Sequence, residues 1–322
     1  MARLDHGTFT RPNRSTSVSP ASGYIDPVHL TDLTFGQKVG AYVALTKPRI
    51  IELLLITTLP TMVVAKRGMP SMWLMLTTLV GGALAAGGAN AINMYVDRDI
   101  DSLMERTKKR PLVTGAVTPT AALVFALCLE VAAFAELWGA VNLLSAVLAV
   151  SATLFYVFVY TLWLKRTSKQ NIVIGGAAGA MPVLVGWAAV TNSLAWTPLV
   201  LFGVIFLWTP PHFWALAFKY KDDYEAASVP MMPVVATFRR TAIEILVYSV
   251  LMVGLTFVLA PVAHLGALYL VTAGVLGAGF IAMAIRLWAK ATPKASMQLF
   301  SYSITYLTLL FVVMAVDVFL TN

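Results

Sequence analysis

Asn93, Asp97 and Asp101 stand four residues apart and carry oxygen-bearing side chains. A helix turns about 100° per residue, so the three share one stripe that drifts about 40° per step. Such a stripe suits a hard cation such as Mg²⁺, which takes oxygen ligands and shares them with bound phosphate. Asp99, about 200° around from Asp97, falls off it. The run continues through Glu105, Arg106, Lys108, Lys109 and Arg110 to Pro111. A second charged segment, Lys219 to Pro233, holds Lys221, Asp222, Asp223 and Glu225 and is followed by Arg239 and Arg240. Two acidic clusters with cations nearby can hold Mg²⁺ ions that bridge diphosphate oxygens, while Lys and Arg neutralise the remaining charge. The alternative for the second segment is a solvated loop with internal ion pairs.

The elements that must position these groups are apolar. The chain of 322 residues is 59% hydrophobic and 12% charged, about half the charge of a soluble domain. Its apolar residues form long blocks, each near the ~20 residues needed to cross a bilayer. The blocks predict spans at 50–66, 71–96, 118–138, 141–164, 171–190, 195–218, 242–262, 265–287 and 297–318. The fold expected is all-α: a polytopic membrane protein with nine transmembrane helices bundled around a central cavity open to the cytoplasm. Asn93 and Asp97 then lie at the membrane boundary. A carboxylate at full depth there costs roughly 2.5–3.5 kcal/mol, so a functional partner is expected.

Basic residues set the orientation. With the N-terminus in the cytoplasm, all of the 23 Lys and Arg except Lys66 and Arg67 fall on the cytoplasmic side. The net charge of +8 is thus topological, and a nucleic-acid partner is not expected. The connectors on the other face hold almost no ionisable groups, so the site should open to the cytoplasm. Residues 1–34, rich in Ser, Thr and Pro with no apolar stretch, read as a disordered cytoplasmic tail without a cleavable signal. Residues 35–322 form the membrane domain, and segment 35–46 is expected to lie in the lipid interface. The one cysteine, Cys128, excludes an internal disulfide or thiolate metal site.

Three further features have two readings each, and a fourth has none. Lys47 and Arg49, flanking Pro48 at the entrance of the first span, either contact phosphate or anchor that span at lipid headgroups. Pro210 and Pro211 are expected to break the sixth span just before His212, which is then a ligand or a hydrogen-bonded core residue. Tyr156 and Tyr160 share a face of the aromatic fourth span. They would either shield a carbocation by cation–π attraction, worth about 2 kcal/mol when desolvated, or simply pack. Glu130 is a carboxylate within the third span with no assigned role.

The motif NxxxDxxxD, Asn93 to Asp101, followed by Arg106-Thr107, Arg110-Pro111-Leu112, resembles the first aspartate-rich motif of the UbiA-type intramembrane prenyltransferases. Five stretches in order resemble the branch that farnesylates protohaem IX, the haem O synthases: Leu45–Ile51, the motif itself, Asn171–Pro182, Trp208–Ala217 and Asp223–Val235. The resemblance implies that the farnesyl group of farnesyl diphosphate is transferred to a vinyl group of haem B with addition of water, giving haem O for haem-copper oxidases. It implies Mg²⁺ as cofactor, held by Asn93, Asp97, Asp101 and Asp223. Lys47, Arg49, Arg106, Arg110 and Lys221 would contact diphosphate, and His212, Tyr156 and Tyr160 the haem or prenyl chain. Membrane lipid and, as a candidate, haem A synthase are the remaining partners, in the plasma membrane of a bacterium. Many relatives carry a second DxxxD motif. Here Ala226 and Ala227 follow Asp222 and Asp223 at that spacing, matching the DYxxA pattern of the haem branch and leaving a second metal at Asp223 open.

Two rival functions compete with this one. A relative acting on a quinone precursor or chlorophyll-type acceptor would share the fold and the diphosphate site. A cation-coupled transporter would place its acids near the midplane within paired broken helices, whereas here they collect at one mouth.

Overall fold

The computed structural model describes residues 33–321, apart from the side chains of residues 50 and 52–55, and among these residues every regular element is helical. The expected tail lies outside the described residues but for Leu33 and Thr34. The first half comprises α1 (Phe35–Thr46), α2 (Pro48–Lys66), α3 (Met72–Val96), the short α4 (Arg98–Leu103), α5 (Pro119–Ala140) and α6 (Leu143–Leu154). α6 runs on through a π-helical stretch, Phe155–Leu164, into the single turn α7 (Lys165–Thr167). The second half comprises α8 (Asn171–Thr191), α9 (Trp196–Ala217), the short α10 (Lys221–Ala226) and α11 (Met232–Val235), then α12 (Phe238–Val262), α13 (Ala267–Lys290) and α14 (Pro293–Leu320).

Among the described residues eight helical rods are long and apolar enough to span a bilayer, counting Leu143–Thr167 as one. This is a multi-pass membrane protein. The first expected span is the 19-residue helix α2. Helix starts are marked by hydroxyl caps: Ser71, Thr118, Thr237 and Thr292 each accept from the amide three residues on, satisfying donors that the first turn leaves open. Thr34 and Gln37 form a reciprocal capping box on α1, whose Phe35, Val39 and Val43 are exposed along one side. That apolar stripe suits an interfacial helix.

Each long helix packs on the next, and α14 returns to α2; α2 against α8 and α9 against α14 cross the middle. With no hydrophobic force between helices in lipid, close backbone approach supplies the attraction. Gly88 of α3 illustrates it, since a Cβ there would lie 3.0 Å from the carbonyl of Ala126 in α5. Large side chains fill the remainder, with Trp214, Tyr269, Tyr306, Phe280 and Phe311 almost wholly enclosed.

The two ends of the bundle differ. At one end, side chains stitch loops to neighbouring backbone. Arg67 donates to the carbonyls of Ala263 (3.0 Å) and His264 (3.3 Å), Asn142 to Ala188 (2.8 Å) and Thr197 to Val262 (3.1 Å). Buried Asp317 accepts from Gly266 N (2.5 Å) and Tyr269 N (3.0 Å), capping α13 from α14. The charged segments lie at the opposite end.

The expected break before His212 is absent: α9 is continuous through Pro210 and Pro211. Two missing amides free the carbonyls of Phe206 and Leu207. Both prolines are buried, with α8, α12 and α14 packed on α9, and such packing lets a membrane helix keep its course past proline.

Candidate active site

The stripe exists, and it bends at its centre. α3 ends at Val96, Asp97 occupies the joint with φ −84° and ψ 3°, and α4 begins at Arg98. Helical bonding carries across it, from Asp97 N to Asn93 O (2.9 Å) and from Asp101 N to Asp97 O (2.8 Å). Asn93 is 3% exposed, and Asp97 and Asp101 are 0%, so each needs a partner inside the protein.

The partners come from three other elements. Lys165 of α7 forms an ion pair with Asp97 Oδ2. Arg110 Nη1 meets Asp101 Oδ2 at 2.5 Å. Lys47 donates from Nζ to Asn93 Oδ1 (2.8 Å), while Asn93 Nδ2 donates to Asp97 Oδ2 (2.8 Å) and to Thr161 Oγ1 (3.1 Å). Arg166 binds Asp99 through both guanidinium nitrogens, each at 2.7 Å, and has Nη2 3.7 Å from Asp97 Oδ1. The three carboxylates Asp97, Asp99 and Asp101 thus sit among four cations, Lys47, Arg110, Lys165 and Arg166. A cluster of that sign can receive an anion.

Local backbone explains the reach of these groups. Lys47 closes α1 and opens α2 in the left-handed region, φ 53°, a conformation costing a side-chain-bearing residue on the order of 1–3 kcal/mol and common at functional sites. The kink allows the half-buried amine to reach Asn93. Burial, with Arg110 and Lys165 close by, holds its pKa well below that of a free lysine, against the pull of Asp97 and Asp101. The π-helical stretch has a similar role. Thr161 Oγ1 donates to Tyr156 O five residues back (2.8 Å), and the same hydroxyl accepts from Asn93. π segments frequently mark functional sites.

The second charged segment folds as α10 and docks beside the first. Asp223 accepts from the amides of Glu105 (3.2 Å) and Arg106 (3.1 Å). Arg106 reaches the Tyr224 hydroxyl at 3.4 Å and lies over the ring of Tyr220, 5.2 Å from its centroid. Asp223 therefore fastens the two segments together, and its oxygens are engaged by backbone. Lys221 and Arg49 are exposed, and among the described ion pairs neither takes part.

Among the described residues no three of His, Cys, Asp and Glu gather as a metal site. Two carboxylate oxygens nevertheless fit a metal: Asp97 Oδ1 and Asp101 Oδ1 are buried and accept no hydrogen bond. Mg²⁺ is commonly held by one or two carboxylates together with substrate phosphates, and this donor set meets that requirement.

Tyr156 and Tyr160 stack, with centroids 5.3 Å apart and planes at 21°. Tyr160 lies on Gly175 of α8, where a Cβ would come within 2.3 Å of Cδ2. Tyr156 is within electrostatic reach of Asp97, Arg110 and Asp101, so the pair adjoins the charged cluster. His212 instead packs between Trp208 (4.2 Å) and Phe300 (4.7 Å), with Nδ1 2.7 Å from Ser303 Oγ. That environment joins α9 to α14. Glu130 pairs with Thr153 Oγ1 at 3.1 Å in the space opened by Gly88.

Sequence reasoning missed Thr161, Lys165 and Arg166, reading the last two as part of a short loop. A Lys-Arg pair closing an aromatic span at the same end as the acidic motif was the available signal. It also missed Asn171, which is fully buried with neither amide atom paired.

The described residues form a helical membrane bundle whose acids and cations converge at one end, an arrangement that can receive an anion. The chain belongs to the UbiA prenyltransferase family, whose model matches residues 54–312. It is 51% identical over 314 residues to a protoheme IX farnesyltransferase of Renibacterium salmoninarum, covering 96% of this chain and 98% of that one. It is 56% identical over 282 residues to the protoheme IX farnesyltransferase of Frankia alni, with 87% and 98% covered. The fold is similar to that of a UbiA homolog from Archaeoglobus fulgidus bound to GPP and Mg²⁺, with TM-score 0.58, 18% identity, and 85% and 99% of the chains covered.

Proposed function

We propose that this protein transfers the farnesyl group of farnesyl diphosphate to a vinyl group of protohaem, with addition of water and release of diphosphate. The observation that carries the reading is the buried Asn93–Asp97–Asp101 stripe, with two carboxylate oxygens that accept no hydrogen bond inside a ring of cations. The relatives' names favour protohaem over a quinone precursor as acceptor, and favour an enzyme over a transporter.

Asp97 and Asp101 would hold Mg²⁺ against the diphosphate, with Asn93 beside them; when bound, the metal supplies positive charge to the departing oxygen. Lys165, Arg110 and Lys47 now face carboxylate or amide oxygens. Turned toward the substrate, they neutralise the charge that grows on the leaving diphosphate as the allylic carbon–oxygen bond breaks, stabilising the transition state electrostatically. Arg106 stands at the rim with Tyr220 and Tyr224 as a further phosphate contact, and Asp223 keeps that rim closed. Exposed Arg49 and Lys221 suit lipid headgroups better than diphosphate. Tyr156 and Tyr160 offer π faces beside the allylic cation, and the apolar bundle keeps water from it. His212 is held by Ser303 and two aromatic rings, and we give it a packing role. The positive-inside bias supports nine spans with this mouth on the cytoplasmic face of a bacterial plasma membrane.

The reading is tested with purified full-length protein in lipid, supplied with farnesyl diphosphate, protohaem and Mg²⁺. Formation of farnesylated, hydrated haem is expected. Prenylation of a hydroxybenzoate with no change in the haem would overturn the assignment of acceptor.

A further inference from the structure

Asp99 is the acid of the motif that lies off the metal stripe, yet it has the most complete partner in the region. Arg166 grips both of its carboxylate oxygens at 2.7 Å. The same guanidinium donates from Nη2 to the carbonyl of Val96 (3.2 Å) and stands 3.7 Å from Asp97 Oδ1. One planar group therefore touches the residue before Asp97, the Asp97 carboxylate, and the residue two beyond it. Asp97 is the joint between α3 and α4, with φ −84° and ψ 3°. Val96, Arg98, Asp99, Leu162 and Arg166 surround a shallow depression of about 430 Å³ at this joint.

Exposure makes a purely structural role a poor explanation. The Arg166 and Asp99 side chains are 34% and 60% exposed, and ion pairs at such positions add little to stability. A bidentate fork does fix geometry. Lys165, the residue before Arg166, is the partner that Asp97 would exchange for metal and diphosphate in the proposed reaction. While that exchange takes place, something has to keep the Asp97 and Asp101 carboxylates facing the same side.

We propose that Arg166 is a positioning residue: through Asp99 and the Val96 carbonyl it holds the α3–α4 joint, so that Asp97 and Asp101 present their free oxygens together to the metal–diphosphate. The inference rests on the function proposed above. Partners one shell out from metal ligands typically change metal affinity by about 10–100-fold when removed. Asp99→Asn and Arg166→Gln should each weaken binding about tenfold, at the lower end of that range. Because Asp99 acts only through Arg166, the double variant should bind about as weakly as Arg166→Gln alone.

The experiment is titration calorimetry of inorganic diphosphate into full-length protein in lipid nanodiscs, at fixed Mg²⁺, for wild type, both single variants, the double variant and Arg166→Lys. Thermal midpoints are taken in parallel. The expected result is a loss in both singles, at least as large in Arg166→Gln as in Asp99→Asn, no loss in the double beyond that of Arg166→Gln, little recovery with lysine, and midpoints near wild type. Wild-type affinity in Asp99→Asn overturns the proposal, since Arg166 would then act directly or not at all. Losses that multiply in the double, or that track falling midpoints, overturn it as well. Wild type that fails to bind diphosphate with Mg²⁺ refutes the proposed function itself, so the two failures are distinguishable.

Discussion

Replacing Lys165 with Met tests the buried pair on which the resting site depends. Asp97 is 0% exposed and Lys165 12% exposed as side chains, so the substitution leaves a buried carboxylate without its main cation. Breaking such a pair costs about 3–5 kcal/mol. Two residual partners offset part of this: Asn93 Nδ2 at 2.8 Å and Arg166 Nη2 at 3.7 Å. We therefore expect a loss of about 2–3 kcal/mol, read by denaturant titration in detergent and followed by tryptophan fluorescence. Asp97→Asn, which strands the lysine instead, should lose a comparable amount. The double variant Asp97→Asn, Lys165→Met removes both charges and should recover most of the loss, because a neutral pair carries no uncompensated charge. All three should be inactive in prenyl transfer, which separates the structural from the chemical role of the pair. A double variant as unstable as the sum of the singles would refute the coupling. So would Lys165→Met at wild-type stability.

Asp317→Ala removes the acceptor of the Gly266 and Tyr269 amides; a lost cap costs about 0.5–2 kcal/mol, so the thermal midpoint should fall while activity at a permissive temperature is retained. Gly175→Ala places a Cβ 2.3 Å from Tyr160 Cδ2 and must move the ring and disturb its stack on Tyr156. A stability loss of about 1–3 kcal/mol is expected, with a lower kcat for prenyl transfer because the displaced rings no longer present their faces to the allylic cation. Thr161→Val deletes the acceptor for Asn93 Nδ2 at 3.1 Å, and at about 1 kcal/mol for one hydrogen bond its kcat/KM should fall several-fold with the fold intact.

The class of fold was legible because membrane spans announce themselves by length and apolarity. The Asn93–Asp97–Asp101 stripe was legible because helical periodicity relates neighbours within one segment. The partners of these residues were not, for the same reason. Lys165 meets Asp97 across 68 residues of chain and Lys47 meets Asn93 across 46; no local pattern encodes such distances. The π-helical stretch was hidden as well, since Phe155–Leu164 reads as an ordinary aromatic span until Thr161 bonds five residues back. Pro210-Pro211 misled in the opposite direction. Local propensity predicts a break, and the packing of α8, α12 and α14 overrides it. The resemblance implies Asp223 as a metal ligand and leaves a second metal there open; that its oxygens accept from the amides of Glu105 and Arg106 could not be read from the sequence.

Mass analysis of haem after incubation in lipid with farnesyl diphosphate and Mg²⁺, wild type beside Asp97→Asn, tests the central claim most directly. Wild type should convert protohaem to a species heavier by one farnesyl group and one water, and Asp97→Asn, although folded, should leave the haem unchanged. Unmodified haem from wild type, or equal conversion by the variant, would contradict the metal-holding role of the buried aspartate.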